Sequence, residues 1–176
     1  MDLIDQLTSE HREAEDLLSR LKDTEPGVER DQLIAELTTA LRTHMAVEEK
    51  FVYPVVAETL GQEPEEEAEV EHQLARDGLA KLDELRAAPG FGAVVDMVEA
   101  GIAHHVDEEE HEMFPKLREK ASSRIEQLDP AECKAAVQSE AIDLTKDELY
   151  RQAQEADIPG RSSMTKDELA EALSNN

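Results

Sequence analysis

Apolar residues return along this chain at alternating spacings of three and four, the mark of helices with one buried face. The first stripe is Ile4, Leu7, Ala14, Leu18 and Leu21. It predicts a helix capped by Asp2 or Asp5, running to about Lys22 and broken by Thr24-Glu25-Pro26-Gly27. A second helix starts near Glu29 and shows Leu33, Leu37, Leu41, Val52 and Val55 on one face, with Pro54 marking a kink or local change. A loop over Gly61 to Pro64 leads to a third helix with an acidic start, Glu65-Glu66-Glu67, and a stripe of Ala68, Ala75, Leu79 and Leu82. After Pro89-Gly90 a fourth helix presents Val94, Val98, Ile102 and Met113, and Pro115 repeats the kink. Four amphipathic helices with short links predict an all-α fold, an up-down-up-down four-helix bundle.

Six polar residues sit where these stripes demand apolar ones: His11, His44, Glu48, His72, His105 and Glu109. They belong to an internal repeat with an offset of 61. His11, His44 and Glu48 recur as His72, His105 and Glu109, and Glu10, Glu49, Tyr53 and Pro54 recur as Glu71, Glu110, Phe114 and Pro115. The bundle is therefore two copies of one helical hairpin, each carrying two His and one Glu.

A lone His on an apolar face is usually a satisfied core residue. A Glu there is rarer, because carboxylates almost never sit fully buried unless paired, and an unpaired one costs several kcal/mol. Two would also repel each other. The pattern places no Lys or Arg on the inner stripes of the second and fourth helices upstream of the prolines. Residues four apart on a helix differ by roughly 40° in direction, so His44 and Glu48, like His105 and Glu109, point inward from adjacent turns. Four imidazoles and two carboxylates converging at one level suit a divalent or trivalent first-row metal, and six ligands with two carboxylates able to bridge suggest two metals.

Composition narrows the field. The 176 residues carry a formal charge of −25, which argues against a nucleic-acid partner, whose phosphates call for Lys and Arg, and is compatible with attracting small cations. Cys133 is the single cysteine, so there is no disulfide framework and no thiolate metal site. The acidic start MDLIDQLTSEH lacks a secretory segment, and no apolar run approaches about 20 residues, which together read as a cytoplasmic protein without a membrane span.

The doubled H…HxxxEE…P pattern over residues 1–120 resembles the bacterial hemerythrin-like, or HHE cation-binding, domain, in its actinobacterial type. The resemblance implies a bundle around two iron ions, oxo- or hydroxo-bridged and without haem. His11, His44, His72 and His105 would be terminal ligands, and Glu48 and Glu109 bridging carboxylates. Oxygen-carrying hemerythrins have a further His where this chain has Arg76, and end in HxxxxD where it has HxxxE. The departures point away from reversible O2 carriage. The type is associated with hydrogen peroxide decomposition, catalase-like, or with nitric oxide handling, and so with oxidative stress. An iron, O2 or NO sensor without turnover stays open as the alternative. Tyr53 is a candidate additional ligand or rim-packing residue. Glu49, Glu110, His104 and Arg76 are candidates to surround the ligands, with Glu49 and Glu110 on imidazole N–H groups or simply solvated. His111 reads as exposed.

Residues 121–141 read as a short amphipathic extension through Ile125, Leu128, Cys133 and Val137. Residues 142–176 carry two capping boxes, Thr145-Lys-Asp-Glu148 and Thr165-Lys-Asp-Glu168, around Asp157-Ile-Pro-Gly160. This tail resembles the helix-extended-helix module of the Rho N-terminus and SAP-like domains. Its acidic balance favours a protein partner over nucleic acid.

Overall fold

The computed structural model describes residues 2–143 and, beyond them, 149, 150, 153, 154, 156, 158, 161, 164, 165, 168, 169, 172 and 173. The chain divides into two compact units, 1–135 and 136–176.

In the first unit, α1 (Leu3–Lys22) opens on a reciprocal capping box: Asp5 N–H donates to Asp2 Oδ1 at 2.8 Å, and Asp2 N–H to Asp5 Oδ2 at 3.1 Å. α2 (Val28–Val47) continues through a π-helical turn, Glu48–Val52, into α3 (Tyr53–Leu60). Gly61, with φ +106°, breaks the chain before α4 (Gln62–Glu84). α5 (Phe91–Glu108) likewise passes through a π turn, Glu109–Met113, into α6 (Phe114–Lys120). α1 packs on α2 and α5, and α4 packs on α2, α3 and α5. This is the up-down-up-down bundle, with α2–α3 and α5–α6 as its two long members.

Three local expectations are corrected. The third helix starts at Gln62, two residues before Pro64, because the left-handed Gly61 already ends the preceding helix and Pro64 is tolerated in a first turn. The extension is not continuous: α7 (Ser122–Ile125) ends, and α8 (Pro130–Asp143) begins afresh, with Asp129 Oδ1 accepting from Glu132 N–H at 3.0 Å. A buried cation does lie on the second helix. Arg30 donates to the Arg86 carbonyl at 2.8 Å and to Thr24, and stacks 4.1 Å from the Phe91 ring centroid. It sits about 27 Å along the helix from Glu48, at the far end of the bundle, and does not neutralise the carboxylates.

The prolines act through the π turns. Tyr53 and Phe114 N–H groups donate five residues back, to the Glu48 and Glu109 carbonyls. Pro54 and Pro115 have no N–H to give, so the wider turn accommodates the missing bond. Apolar layers lie on both sides of the histidine level. One is built around Leu18, Leu21, Leu37, Leu82 and Val95, the other around Leu7, Val52, Val56 and Leu117. At Gly78 a Cβ would meet Val98 Cγ2 at 2.6 Å, so glycine permits the close approach of α4 and α5.

Within the second unit Leu149, Ala153, Ile158 and Leu169 form a small core. Thr165 N–H donates to Glu168 Oε2 at 2.6 Å and Glu168 N–H to Thr165 Oγ1 at 3.2 Å, a closed capping box. The other box, Thr145–Glu148, lies outside the described residues, as does most of Asp157–Gly160.

Candidate metal centre

The structure brings His11, His44, Glu48, His72, His105 and Glu109 to one level of the bundle, all buried, with Glu48 0% and Glu109 1% exposed. The histidines form two pairs. His11 Nε2 lies 3.1 Å from His44 Nε2, and His72 Nε2 lies 3.2 Å from His105 Nε2. Each carboxylate spans both pairs. Glu48 places Oε1 3.1 Å from His44 Nε2 and Oε2 3.3 Å from His72 Nε2. Glu109 Oε2 lies 3.3 Å from His11 Nε2 and 3.5 Å from His105 Nε2. The repeat has become a pseudo-twofold site with every Nε2 facing inward.

The outward nitrogens are all occupied by carboxylates. Nδ1 of His11, His44, His72 and His105 lies 2.8, 3.0, 2.9 and 2.8 Å from Glu110, Glu10, Glu49 and Glu71. An imidazole that donates Nδ1–H to a carboxylate leaves the Nε2 lone pair free and fixes the ring's direction. Those carboxylates are themselves held. Arg12 bonds Glu110, Arg76 bonds Glu49, Gln6 and Lys134 reach Glu10 at 2.9 and 3.2 Å, and His104 Nε2 reaches Glu71 at 3.3 Å. Arg76 thus holds the carboxylate that faces His72 Nδ1. His104 and His111 are exposed.

Tyr53 enters the centre. Its Oη lies 2.9 Å from His72 Nε2 and 3.4 Å from Glu109 Oε1. In an α-helix a step of five residues from Glu48 would turn Tyr53 about 140° away; the π turn's extra residue brings it back. Its repeat mate Phe114 stacks flat beside His11, centroids 6.0 Å apart. The two halves of the site are therefore chemically unequal.

Both Glu48 oxygens and Glu109 Oε2 are fully buried without a hydrogen-bond partner among the described residues, although imidazole nitrogens stand close. Native proteins leave few such atoms, and each unmade bond costs about 1–3 kcal/mol, more for a charged group. Burial pushes the Glu109 carboxyl up, and the Glu48 charge adds to it. Burial opposes the Glu48 charge too, but His44 and His72 outweigh it and hold that carboxyl well below the usual range. For His44 burial favours the neutral ring, yet the Glu48 charge and the Glu10 hydrogen bond raise it to about 10. His105, also opposed by burial, is raised by Glu71 and Glu109 to about 9. Burial and the two carboxylates push the Tyr53 phenol up, so it stays protonated. With protein groups alone, protons balance the centre's negative charge. Inward lone pairs, spanning carboxylates and unpartnered oxygens fit metal cations in their place.

Among the described residues, two cavities reach this level. One of about 550 Å³, lined mostly by apolar groups including Leu74, Gly78, Met97 and Ile102, touches all four histidines. A second, of about 370 Å³, is more polar and reaches His105 and Glu109 past Glu67, Glu71, Glu108 and Lys116.

The pattern of the sequence gives no role to Glu10, Glu71 and Arg12. The signal for the first two was present, since both keep the repeat register. The profile of the hemerythrin HHE cation binding domain matches residues 2–117, and the chain belongs to that family. Comparison with curated proteins and with solved structures gave no significant match. Among the described residues no helix is long and apolar enough to cross a membrane.

Proposed function

We propose that the bundle, read as residues 1–120, holds two iron ions, with His11, His44, His72 and His105 as terminal ligands and Glu48 and Glu109 between the ions. The unpartnered, fully buried oxygens of those two glutamates carry this reading. When bound, such a pair supplies Lewis acidity and one-electron redox capacity toward hydrogen peroxide or nitric oxide. The chain's own residues do the rest. Glu10, Glu49, Glu71 and Glu110 orient the four rings. Leu37 and Val52 help exclude water. Tyr53 holds a proton, or an additional ligand oxygen, beside His72. The apolar cavity admits small uncharged molecules more readily than anions. Iron-loaded protein should evolve O2 from hydrogen peroxide or consume NO, and the His44→Ala/His105→Ala chain should do neither. Undiminished turnover by that variant contradicts the proposal.

The separate compact unit 136–176 supports a second reading, in which iron or gas occupancy is sensed without turnover and read out through the tail by a protein partner. Limited proteolysis of iron-free and iron-loaded protein discriminates: identical tail cleavage in both argues against it.

A further inference from the structure

A second set of metal-type ligands lies just outside the buried six. His104 Nε2 is 3.3 Å from Glu71 Oε1 and 3.5 Å from Glu108 Oε1, and one ligand atom from each residue lies within 4.8 Å of the others. Bonds of about 2.0–2.2 Å, set at tetrahedral or octahedral angles, separate neighbouring donors by roughly 3.0–3.5 Å, which the two measured distances match. In the metal-free chain both contacts lie within ion-pair reach and compete for one imidazole nitrogen, and a cation between the three groups would satisfy all of them.

The trio is tied to the interior. Glu71 turns its other oxygen to His105 Nδ1 at 2.8 Å. Glu71 and Glu108 line the polar cavity that also reaches His105 and Glu109, while His104 stands at its edge and lines the apolar cavity. His104 and Glu108 each precede a member of the buried pair His105 and Glu109, and so repeat its four-residue spacing about 100° round the helix. The other half-repeat has no counterpart. Its equivalent positions are Thr43 and Val47, and Glu10, the equivalent of Glu71, is held by Gln6 and Lys134 instead.

We propose that Glu71, His104 and Glu108 form a surface site for a divalent first-row cation, which captures the ion from solvent and passes it down the polar cavity to the buried centre. One imidazole and two carboxylates suit Fe(II), Mn(II) or Co(II) and not a soft ion such as Cu(I). His104 is 63% and Glu108 41% exposed, so the site holds its ion weakly and releases it. The handover, though not the site itself, rests on the metal-centre reading above.

The test uses Co(II) with the full metal-free chain, by equilibrium dialysis for the number bound and stopped-flow absorbance for the rate. His104→Ala/Glu108→Gln should bind one ion fewer than the unaltered chain and fill the buried set at least about tenfold more slowly at limiting metal. The charge-matched control His111→Ala/Asp107→Asn, an exposed pair on the same helix, should do neither. The His44→Ala/His105→Ala chain should keep the surface ion. An equal count in His104→Ala/Glu108→Gln overturns the site. An equal filling rate, or the same slowing in the control, overturns the handover. If the single ion bound by the unaltered chain is the one lost with His104 and Glu108, the surface site stands and the buried-centre reading fails.

Discussion

Glu109→Gln should have opposite effects on the metal-free and metal-loaded protein. In the metal-free chain Glu109 is a buried acid raised first by desolvation and then by the Glu48 charge. A carboxyl whose folded pKa lies above its unfolded value opposes folding above the unfolded value, near 4.5, and ceases to oppose it once the pH is low enough to protonate both states. At pH 7 the amide removes that opposition and the repulsion of Glu48, and it keeps the oxygen 3.4 Å from Tyr53 Oη. One buried oxygen without a partner is worth about 1–3 kcal/mol, and the gain should be of that size. The loaded protein instead loses a ligand, so the stabilisation conferred by iron should shrink by at least about 3 kcal/mol, equivalent to more than a hundredfold in affinity. Urea unfolding of both forms reads both signs, with a metal-free midpoint moved up by about 1 M. Glu48→Gln provides the contrast: Glu48 is held low by His44 and His72, so its amide should destabilise both forms. If Glu109→Gln weakens the metal-free protein as much as the loaded one, protein groups already satisfy that carboxylate and the reasoning is wrong.

Other consequences can be tested separately. His44 and His105, raised to about 10 and about 9, are protonated in the metal-free chain at pH 7. Iron binding should therefore release protons and tighten from pH 6 to 9, which calorimetry in buffers of different ionisation enthalpy will show; no net release contradicts it. The same raised values stabilise the metal-free fold fully below about pH 6.5, and this is lost as the pH climbs to 9–10, so metal-free and loaded denaturation midpoints should diverge over that window. Glu10→Gln frees the His44 ring to turn and should lower iron affinity about 10–100-fold without changing the helix content seen by circular dichroism; unchanged affinity would show that the 3.0 Å contact is incidental. Gly78→Ala should destabilise by about 1–3 kcal/mol, because the new Cβ would lie 2.6 Å from Val98 and a β-branched residue on a helix has little rotameric freedom to yield. An unchanged thermal midpoint contradicts this.

The bundle was legible in the sequence because its stripes are long and the repeat checks each half against the other. His11, with no partner in its own helix, gains meaning only through His72. The structure supplied what periodicity does not carry. Pro54 signals a disturbance, but a kink and a π turn share that signal, and only the π turn brings Tyr53 inward. Glu10 and Glu71 are partly exposed, so their pattern is that of a solvated face even though one oxygen of each fixes a buried ring. Arg30 continues the three-and-four spacing of α2 but looks like a surface cation, since the backbone carbonyls and the Phe91 ring that receive it come from distant sequence. The stop at Asp129-Pro130 needed more weight than the apolar spacing that runs across it.

The most direct test is elemental analysis of chain reconstituted anaerobically with Fe(II) and freed of loose metal. Convergence of four imidazoles and two carboxylates predicts about two iron ions per chain, with almost none retained by His44→Ala/His105→Ala. Well under one ion in the unaltered chain, or equal retention by the variant, would mean that the buried carboxylates are balanced by protons alone.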